Sequence, residues 1–451
     1  MRSAEAHAAL RRFCEDALAH VRQSVPGSDG LPRVWVPTFH FSGAGGTGSG
    51  EWKVNWRRVV GDHVESLRSI AAYGAAIDVL EADQWLRGTG VWAEQPMQTI
   101  IGLLLRLVDE QQGLEFDASV FDLLYHYTED YFYQSTVRYR HLAPLQHFRM
   151  ESDKIELDEC MSIVRIPDQC RSEMLFGSTE GPPGLGMLSE LSHMPYGLLL
   201  SLDLEKTDGT SDPRQTPDGN SAQQVVKGAF REVCSALRLF KAGAVGYEYI
   251  VPRPAKWTPY PSQSWQVWGG GPRSARGHSC ELSQQEAAGF AQFWRSYRAS
   301  LQDHRDVLEV ALQRFNMAYA DSAPGEKLID YMIAFEALLL GDRQELAYKL
   351  ALRGSRLLGD NPDARQRAFE DLKAAYRARS DIVHGEQLGK VVVGASENVP
   401  VGDLVNRVEN HLREAIKKQM VLLQGSAKGE KAPRKKQGII DALDRDIVRG
   451  C

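Results

Sequence analysis

The chain has 451 residues, an apolar fraction of 43% and a formal net charge of −6. These values are those of an ordinary globular protein with several domains. The net charge excludes a uniformly basic surface but not a local basic patch. The six cysteines are widely spaced and form no CxxC pair, which excludes a disulfide scaffold and a zinc framework.

Residues 1–140 form a mostly helical N-terminal region. The first helix is charged throughout and lacks the apolar segment of a secretory signal peptide. No stretch approaches the roughly 18 consecutive apolar residues of a membrane span, so we expect a cytoplasmic protein with no membrane partner. Helices are expected at 4–24, 60–85, 95–112 and 118–140.

A strand predicted at 33–41 precedes the glycine-rich sequence GAGGTGSG at 43–50. GAGGTG matches the spacing of a dinucleotide-binding turn. However, no helix with an apolar face follows promptly, and there is no GK[ST] sequence as in a P-loop. We therefore interpret the segment as a mobile loop rather than a nucleotide site.

Residues 141–282 form a central module with strands and long loops. Strands are expected at 154–166, 198–205 and 245–252, and a helix is expected at 223–240. The tryptophan-rich segment 257–271 is interpreted as a domain interface, with ligand recognition as the alternative. At the end of the N-terminal region, residues 125–142 include several aromatic residues together with Arg138 and Arg140. There we expect a helix that packs its tyrosines, with a clamp for single-stranded nucleic acid as the alternative.

Residues 283–451 are strongly helical. Ser283 and Glu286 form a capping box at the start of this domain. Further helices are expected at 300–320, 325–341, 343–358, 363–384, 403–424 and 437–448. The whole chain is therefore predicted to have an α+β fold that is predominantly α, with a C-terminal all-α helical bundle.

Three consecutive helices of this domain carry a charge on their apolar stripe: Glu336, Arg353 and Arg379. Charged side chains are rarely buried without a partner. We expect Glu336 and Arg353 to form a buried ion pair, or otherwise to line a groove.

The sequence RARSDIVHGE at 377–386 places Arg379 five residues before His384. Ser380 and His384 share a helix face, where their side chains can form a hydrogen bond. Gly385 is suited to end the helix and to leave His384 at its negative end, which favours an imidazolium.

Cleavage of a phosphodiester without a metal needs a base, an acid and a cation, which these residue types supply. One histidine cannot perform both proton transfers at once, whereas two copies in a dimer can.

With its flanking helices, this motif resembles the Apea-like branch of the HEPN domains. The resemblance covers about 300–450 and rests on LKAAYRARSDIVHG, IAFEALLL and ELAYKLALRGSRLLG. It implies an all-α domain that is often dimeric and that in many members is a metal-independent endoribonuclease of phage defence, CRISPR-associated or toxin systems.

The resemblance also implies roles for particular residues. Arg379 and His384 correspond to the catalytic pair, while Ser380, Asp381, Glu336 and Arg353 are expected to support them. Ser380 stands where many members have Asn, Asp or His, and it orients an imidazole more weakly.

The implied partners are RNA and a second copy, as a homodimer or larger homo-oligomer. No metal and no cofactor are expected. The N-terminal region or the central module would receive a trigger ligand or protein. The alternative is a non-catalytic RNA-binding or assembly module.

A basic tract lies near the end of the chain. It could follow an RNA backbone with salt-sensitive affinity, or it could be a solvated surface. Its members are Arg413, Lys417, Lys418, Arg434, Lys435 and Lys436.

Overall fold

The structure is a computed structural model of the whole chain. It describes residues 3–25, 30–42, 45–82, 95–167, 194–205, 221–256, 268–269, 277–321, 323–341, 344–424 and 432–449. The fold is mixed α+β and predominantly α, as predicted. In the described residues, no helix is both long enough and apolar enough to cross a membrane.

The described helices are α1 Ala4–Ser24, α2 Trp56–Gly61, α3 Val64–Leu67, α4 Ala71–Ala82, α5 Gln95–Gln111, α6 Ala118–Tyr133, α7 Ala222–Phe240, α8 Gln284–Met317, α9 Pro324–Leu339, α10 Leu346–Leu358, α11 Pro362–Val383, α12 Val401–Gln424 and α13 Ala432–Val448. The described strands are β1 Arg33–Ser42, β2 Gly45–Val54, β3 Thr136–Gln146, β4 Phe148–Met150, β5 Lys154–Glu156, β6 Met161–Arg165, β7 Tyr196–Glu205, β8 Gly246–Tyr247, β9 Tyr249–Pro254, β10 Trp268–Gly269, β11 Cys280–Leu282, β12 Lys390–Val393 and β13 Glu397–Pro400.

The chain divides into two compact units, and each draws on separate stretches of sequence. Unit 1 contains 1–144, 165–227 and 249–268, and unit 2 contains 145–164, 228–248 and 269–451. The segment 141–282 is thus shared between the two units.

In unit 1, α1 and α6 are joined at the first turn of α1. Ser3 caps α1 by accepting a hydrogen bond from the Ala6 N–H (3.2 Å). The Ser3 carbonyl accepts a hydrogen bond from the Tyr125 hydroxyl (2.7 Å), and the Ser3 N–H donates to Glu129 (3.0 Å). The apolar core of these helices includes Leu10, Phe13, Val21, Leu103, Leu107 and Phe121.

The glycine-rich segment does not form the predicted loop. Residues 45–50 belong to β2, which pairs antiparallel with β1 in the register Phe41↔Gly46. Glycine can adopt the extended backbone of a strand, and the antiparallel partner β1 supplies the backbone hydrogen bonds that a loop would lack. The mobile-loop interpretation is therefore wrong for this part of the segment, while residues 43–44 lie outside the described residues.

The helix expected at 118–140 ends at Tyr133, so Arg138 and Arg140 lie on β3 instead. They are two residues apart and share one face of the strand. Arg138 donates to both carboxylate oxygens of Asp203 on β7, at 2.8 and 2.7 Å. The prediction of one helix through these arginines is wrong, because the alternation of buried and exposed residues changes to the period of a strand after Tyr133.

In unit 2, α8 begins at the predicted capping box. The Ser283 hydroxyl accepts a hydrogen bond from the Glu286 N–H (3.2 Å), and the Glu286 carboxylate accepts one from the Ser283 N–H (2.9 Å). The two helices expected here form one helix with a kink at His304, whose φ is −139°. Lys435 of α13 reaches this kink, where its ammonium group donates to the Asp303 carbonyl (3.0 Å) and lies 3.2 Å from His304 Nδ1.

A buried polar network joins α7 to the helical bundle within unit 2. Arg413 donates through Nε to the carbonyl of Arg238, at 2.7 Å, and Arg238 donates to Asn316 Oδ1 at 3.0 Å. The Glu409 carboxylate accepts hydrogen bonds from the hydroxyls of Tyr319 (2.7 Å) and Tyr331 (2.9 Å). These hydrogen bonds hold α7 to the bundle by specific contacts, although Nη2 of Arg238 is buried without a hydrogen-bond partner.

The C-terminal region is not all-α. Between α11 and α12, β12 and β13 form an antiparallel hairpin in the register Val391↔Val399. Val391, Val393 and Val399 are buried. The valines at 391–393 are consecutive, and in the strand their side chains alternate between the core and the surface.

Candidate active site

The motif RARSDIVHGE ends α11 with a defined cap. His384 is the last residue of near-helical conformation, and Gly385 has φ +96°. The Gly385 N–H donates to the Ile382 carbonyl (2.9 Å) and the Glu386 N–H donates to the Asp381 carbonyl (3.0 Å). This is the hydrogen-bond pattern of a Schellman motif, so the predicted helix end at Gly385 is confirmed. The cap leaves the His384 side chain exposed at the carbonyl end of the helix.

Arg379 projects from a different side of α11. Five helical residues correspond to a rotation of about 140°, so Arg379 and His384 diverge within one protomer. Arg379 is half-buried, and its Nε is inaccessible to solvent without a hydrogen-bond partner. Arg379 forms no ion pair with any residue that the structure describes. A buried donor without a partner is costly, which makes this guanidinium a candidate to receive a ligand oxygen.

Glu336 and Tyr376 are the charged and polar neighbours of Arg379. Burial and the negative charge of Glu336 raise the pKa of the Tyr376 phenol, whereas the positive charge of Arg379 lowers it. Glu336 is half-buried on α9 and, like Arg379, lies close enough to Tyr376 to change the pKa of its phenol. The cation is in a partly desolvated environment, where its interaction with a phosphate is stronger than in bulk water.

Ser380 and His384 share a helix face, but their side chains form no hydrogen bond. The contact between them is the helical one, in which the His384 N–H donates to the Ser380 carbonyl (3.1 Å). The predicted side-chain contact is therefore not formed. Asp381 is half-buried and contributes its carbonyl to the cap.

Arg353 lies in the core as predicted, but its partner is different. It donates to both carboxylate oxygens of Asp444 on α13, at 2.7 and 2.8 Å, and to the Leu339 carbonyl at the end of α9, at 2.9 Å. The predicted ion pair between Glu336 and Arg353 is wrong. The periodicity of α10 places Arg353 inward correctly, but it carries no information about a partner 91 residues away.

The core face of α11 is lined mainly by small residues. Its buried residues are Ala368, Asp371, Leu372, Ala374, Ala375 and Ala378. A Cβ on Gly354 of α10 would collide with the Leu372 side chain, so α10 and α11 approach closely at this glycine. Of the larger apolar side chains of α11, Leu372 therefore packs inward, whereas Val383 is 54% exposed.

The predicted basic tract does not form one surface. Arg413 and Lys435 are buried, and burial lowers the pKa of the half-buried Lys436. The side chain of Arg434 lies outside the described residues. The tract contributes structural contacts here, because long cationic side chains can bury their stems and donate to carbonyls.

Lys417 and Lys418 line a cavity of about 640 Å³ near the start of α11. Lys417 pairs with Glu414 at 2.6 Å, and Lys418 pairs with Asp360 at 2.9 Å. Their charges are partly neutralised, and the cavity is at the opposite end of α11 from His384.

One functional candidate escaped the sequence reasoning. Asp371 is buried on α11 and accepts hydrogen bonds from His411 Nε2 (3.0 Å) and Arg407 Nη1 (3.3 Å) of α12. This cluster fixes α11 against α12. The Asp371 carboxylate is therefore already paired and does not neutralise the cations of α11. The members of the cluster are 36 and 40 residues apart, so no local pattern reveals the contact.

No family model, no curated protein and no solved structure matches this chain. The resemblance to the HEPN domains stays a prediction based on the motif and its flanking helices. In the part of the chain that the structure describes, no group of three His, Cys, Asp or Glu residues is placed to hold a metal ion.

Proposed function

We propose that this protein is a metal-independent endoribonuclease whose active site is built on Arg379 and His384. The observation that carries the proposal is the half-buried, unpaired guanidinium of Arg379, five residues before an exposed histidine at a capped helix end. Arg379 binds the phosphate that is cleaved, and His384 transfers a proton.

The reaction uses the 2′-hydroxyl of RNA as its nucleophile. A base removes the 2′-hydroxyl proton as the new oxygen–phosphorus bond forms. An acid protonates the 5′-oxygen as the old bond breaks, which leaves a 2′,3′-cyclic phosphate and a 5′-hydroxyl. The guanidinium stabilises the negative charge that develops at phosphorus.

The site is complete only in a dimer. The reaction needs an acid and a base at the same time, and each protomer offers one histidine at this helix end. A two-fold contact at the end of α11 would bring a second His384 and a second Arg379 to the same cleft. A free ribonuclease would damage its own cell, so unit 1 would hold the activity back until a trigger arrives, as in phage defence or a toxin-like stress response.

Cleavage of tRNA and mRNA by the purified protein in EDTA tests the proposal. We expect wild-type protein to cleave, and Arg379→Ala and His384→Ala each to lose about 100-fold or more in rate. Arg367→Ala is a matched control, because Arg367 is an exposed arginine of the same helix and should keep full activity. Absent cleavage, or cleavage that both variants retain, would rule out the nuclease.

A non-catalytic RNA-binding or assembly module is the second candidate. It is favoured by the missing side-chain contact between Ser380 and His384, since a catalytic imidazole usually has an orienting partner. Overexpression in cells separates the two. Toxicity that His384→Ala abolishes supports the enzyme, whereas equal toxicity in both supports the binding module.

A further inference from the structure

One face of α11 leads in a straight line to His384. Its residues are spaced by four, four, three and four positions, so they fall within about 80° of one another around the helix and span about 22 Å. We name this row the α11 strip. It consists of Phe369, Lys373, Arg377, Ser380 and His384.

The two cations of the α11 strip are exposed and lack carboxylate partners. Lys373 and Arg377 form no ion pair within the described part of the chain. Asp381 lies four residues after Arg377 without pairing with it. Glu370, at the edge of the strip, accepts a hydrogen bond from Gln366 Nε2 at 2.5 Å. Unpaired cations beside a candidate phosphate site are available to bind further phosphates.

These cations differ from those that the sequence favoured. Lys417 and Lys418 each lie within ion-pair distance of a carboxylate, and Lys435 is buried. Binding of a phosphate by Lys417 or Lys418 would have to replace an existing partner. Lys373 and Arg377 would neutralise phosphates without losing a contact of this kind.

An aromatic pair lies at the far end of the α11 strip. Tyr348 of α10 is 54% exposed, and its ring centroid is 6.0 Å from that of Phe369 in an edge-on arrangement. Lys373 Nζ lies 5.8 Å from the Phe369 ring. An exposed aromatic ring beside a row of cations is the arrangement on which an unpaired base can stack while its phosphates are bound.

We propose that the α11 strip and Tyr348 bind a single-stranded segment of RNA next to the bond that is cleaved. Lys373 and Arg377 contact successive phosphates, Tyr348 stacks on a base, and the strand reaches the reacting phosphate at His384. A single strand fits better than a duplex because a paired base is not free to stack on Tyr348. This inference rests on the proposed function.

The test is the affinity of full-length His384→Ala protein, which does not cleave, for a fluorescein-labelled single-stranded RNA over a range of salt concentrations. We expect Lys373→Ala and Arg377→Ala each to reduce the slope of log affinity against log salt by about 0.7. We expect Tyr348→Ala to weaken binding about tenfold without changing that slope. A duplex of the same sequence should bind more weakly than the single strand.

Arg367→Ala and Lys154→Ala are the controls, because both remove an exposed cation away from the α11 strip. Equal losses in these controls, or a duplex that binds as tightly as the single strand, would overturn the inference. Far-UV circular dichroism of each variant confirms that it is folded.

The two proposals fail in different ways. If wild-type protein cleaves RNA but Lys373→Ala and Arg377→Ala behave like the controls, the α11 strip is not the binding surface and the nuclease stands. If wild-type protein does not cleave but these variants lose binding, the nuclease is wrong and the α11 strip remains an RNA-binding surface.

Discussion

Arg353 and Asp444 form a two-point ion pair between α10 and α13, with nitrogen–oxygen distances of 2.7 and 2.8 Å. The guanidinium is 7% exposed and the carboxylate 45% exposed, so the arginine depends on the aspartate more than the reverse. The pair fixes the last described helix of the chain to the helical bundle.

Asp444→Ala should destabilise unit 2 by about 3 kcal/mol, because it leaves a buried guanidinium without its carboxylate. Urea denaturation followed by far-UV circular dichroism measures the change. Asp441→Ala, in the same helix, removes an exposed carboxylate that accepts a hydrogen bond from Gln437, and it should cost no more than about 0.5 kcal/mol. Equal effects of the two substitutions would show that the ion pair contributes little.

Mixing wild-type protein with His384→Ala protein should lower ribonuclease activity more than dilution does. A mixed dimer contains one His384 and lacks the second proton-transferring group that the proposed site needs. Random exchange in an equal mixture leaves about a quarter of the dimers with two histidines, which predicts about a quarter of the activity of the same total amount of wild-type protein. The cleavage assay in EDTA, before and after the proteins are mixed and allowed to exchange, measures it. Activity that stays at about half would contradict a site shared between protomers.

Gly385→Ala should destabilise the end of α11 by about 1–2 kcal/mol, because a Cβ is disfavoured at φ +96°. It should also reduce cleavage by displacing His384. Gly389→Ala is the control, since Gly389 does not have a positive φ and a Cβ there would meet nothing within 4 Å. Thermal unfolding and the cleavage rate of both variants are the measurements. An active and stable Gly385→Ala protein would show that the cap does not position the histidine.

Unit 1 should lose stability in mild acid because of His141. Its side chain is buried on β3, neither ring nitrogen has a hydrogen-bond partner, and burial lowers its pKa to about 4. The unfolded chain, with a histidine pKa of about 6.5, therefore binds more protons between these two values. The free energy of unfolding therefore has its full value above pH 6.5 and falls by roughly 3 kcal/mol as the pH decreases to about 4.

Urea denaturation of the wild type and of His141→Leu at pH 7 and pH 4.5 measures this contribution. His141→Leu should remove most of the difference between the two pH values that the wild type shows. His126→Leu, which changes an exposed histidine, should retain it. If His141→Leu keeps the full pH dependence, other groups cause it.

The features that the sequence predicted correctly are local ones. The capping box joins Ser283 and Glu286, which are three positions apart, and Gly385 ends α11 through hydrogen bonds between residues no more than five positions apart. Such patterns depend on backbone groups that are close in the chain. The hairpin of β12 and β13 also has a local signal, the β-branched residues Val391, Val392 and Val393 followed by Gly394, which the helical pattern of the flanking segments obscures.

Partners that are distant in the chain could not be predicted. The periodicity of α10 correctly predicts that Arg353 is buried, but it does not reveal that the carboxylate partner is Asp444 of α13. The same holds for Lys435, whose sequence context is that of an exposed basic residue although it binds the kink at His304. In contrast, the α11 strip was readable from the spacing of Lys373, Arg377 and His384, once the core face of the helix was known to be lined by alanines.

The contact between Arg413 and Arg238 has a consequence for how the protein is made. A ribosome must add 175 residues after Arg238 before the guanidinium that binds its carbonyl exists. Contacts of such high sequence separation form slowly, because a long loop must close before they are gained. The unit that carries Arg379 and His384 therefore cannot complete its helical bundle until α12 has been synthesised.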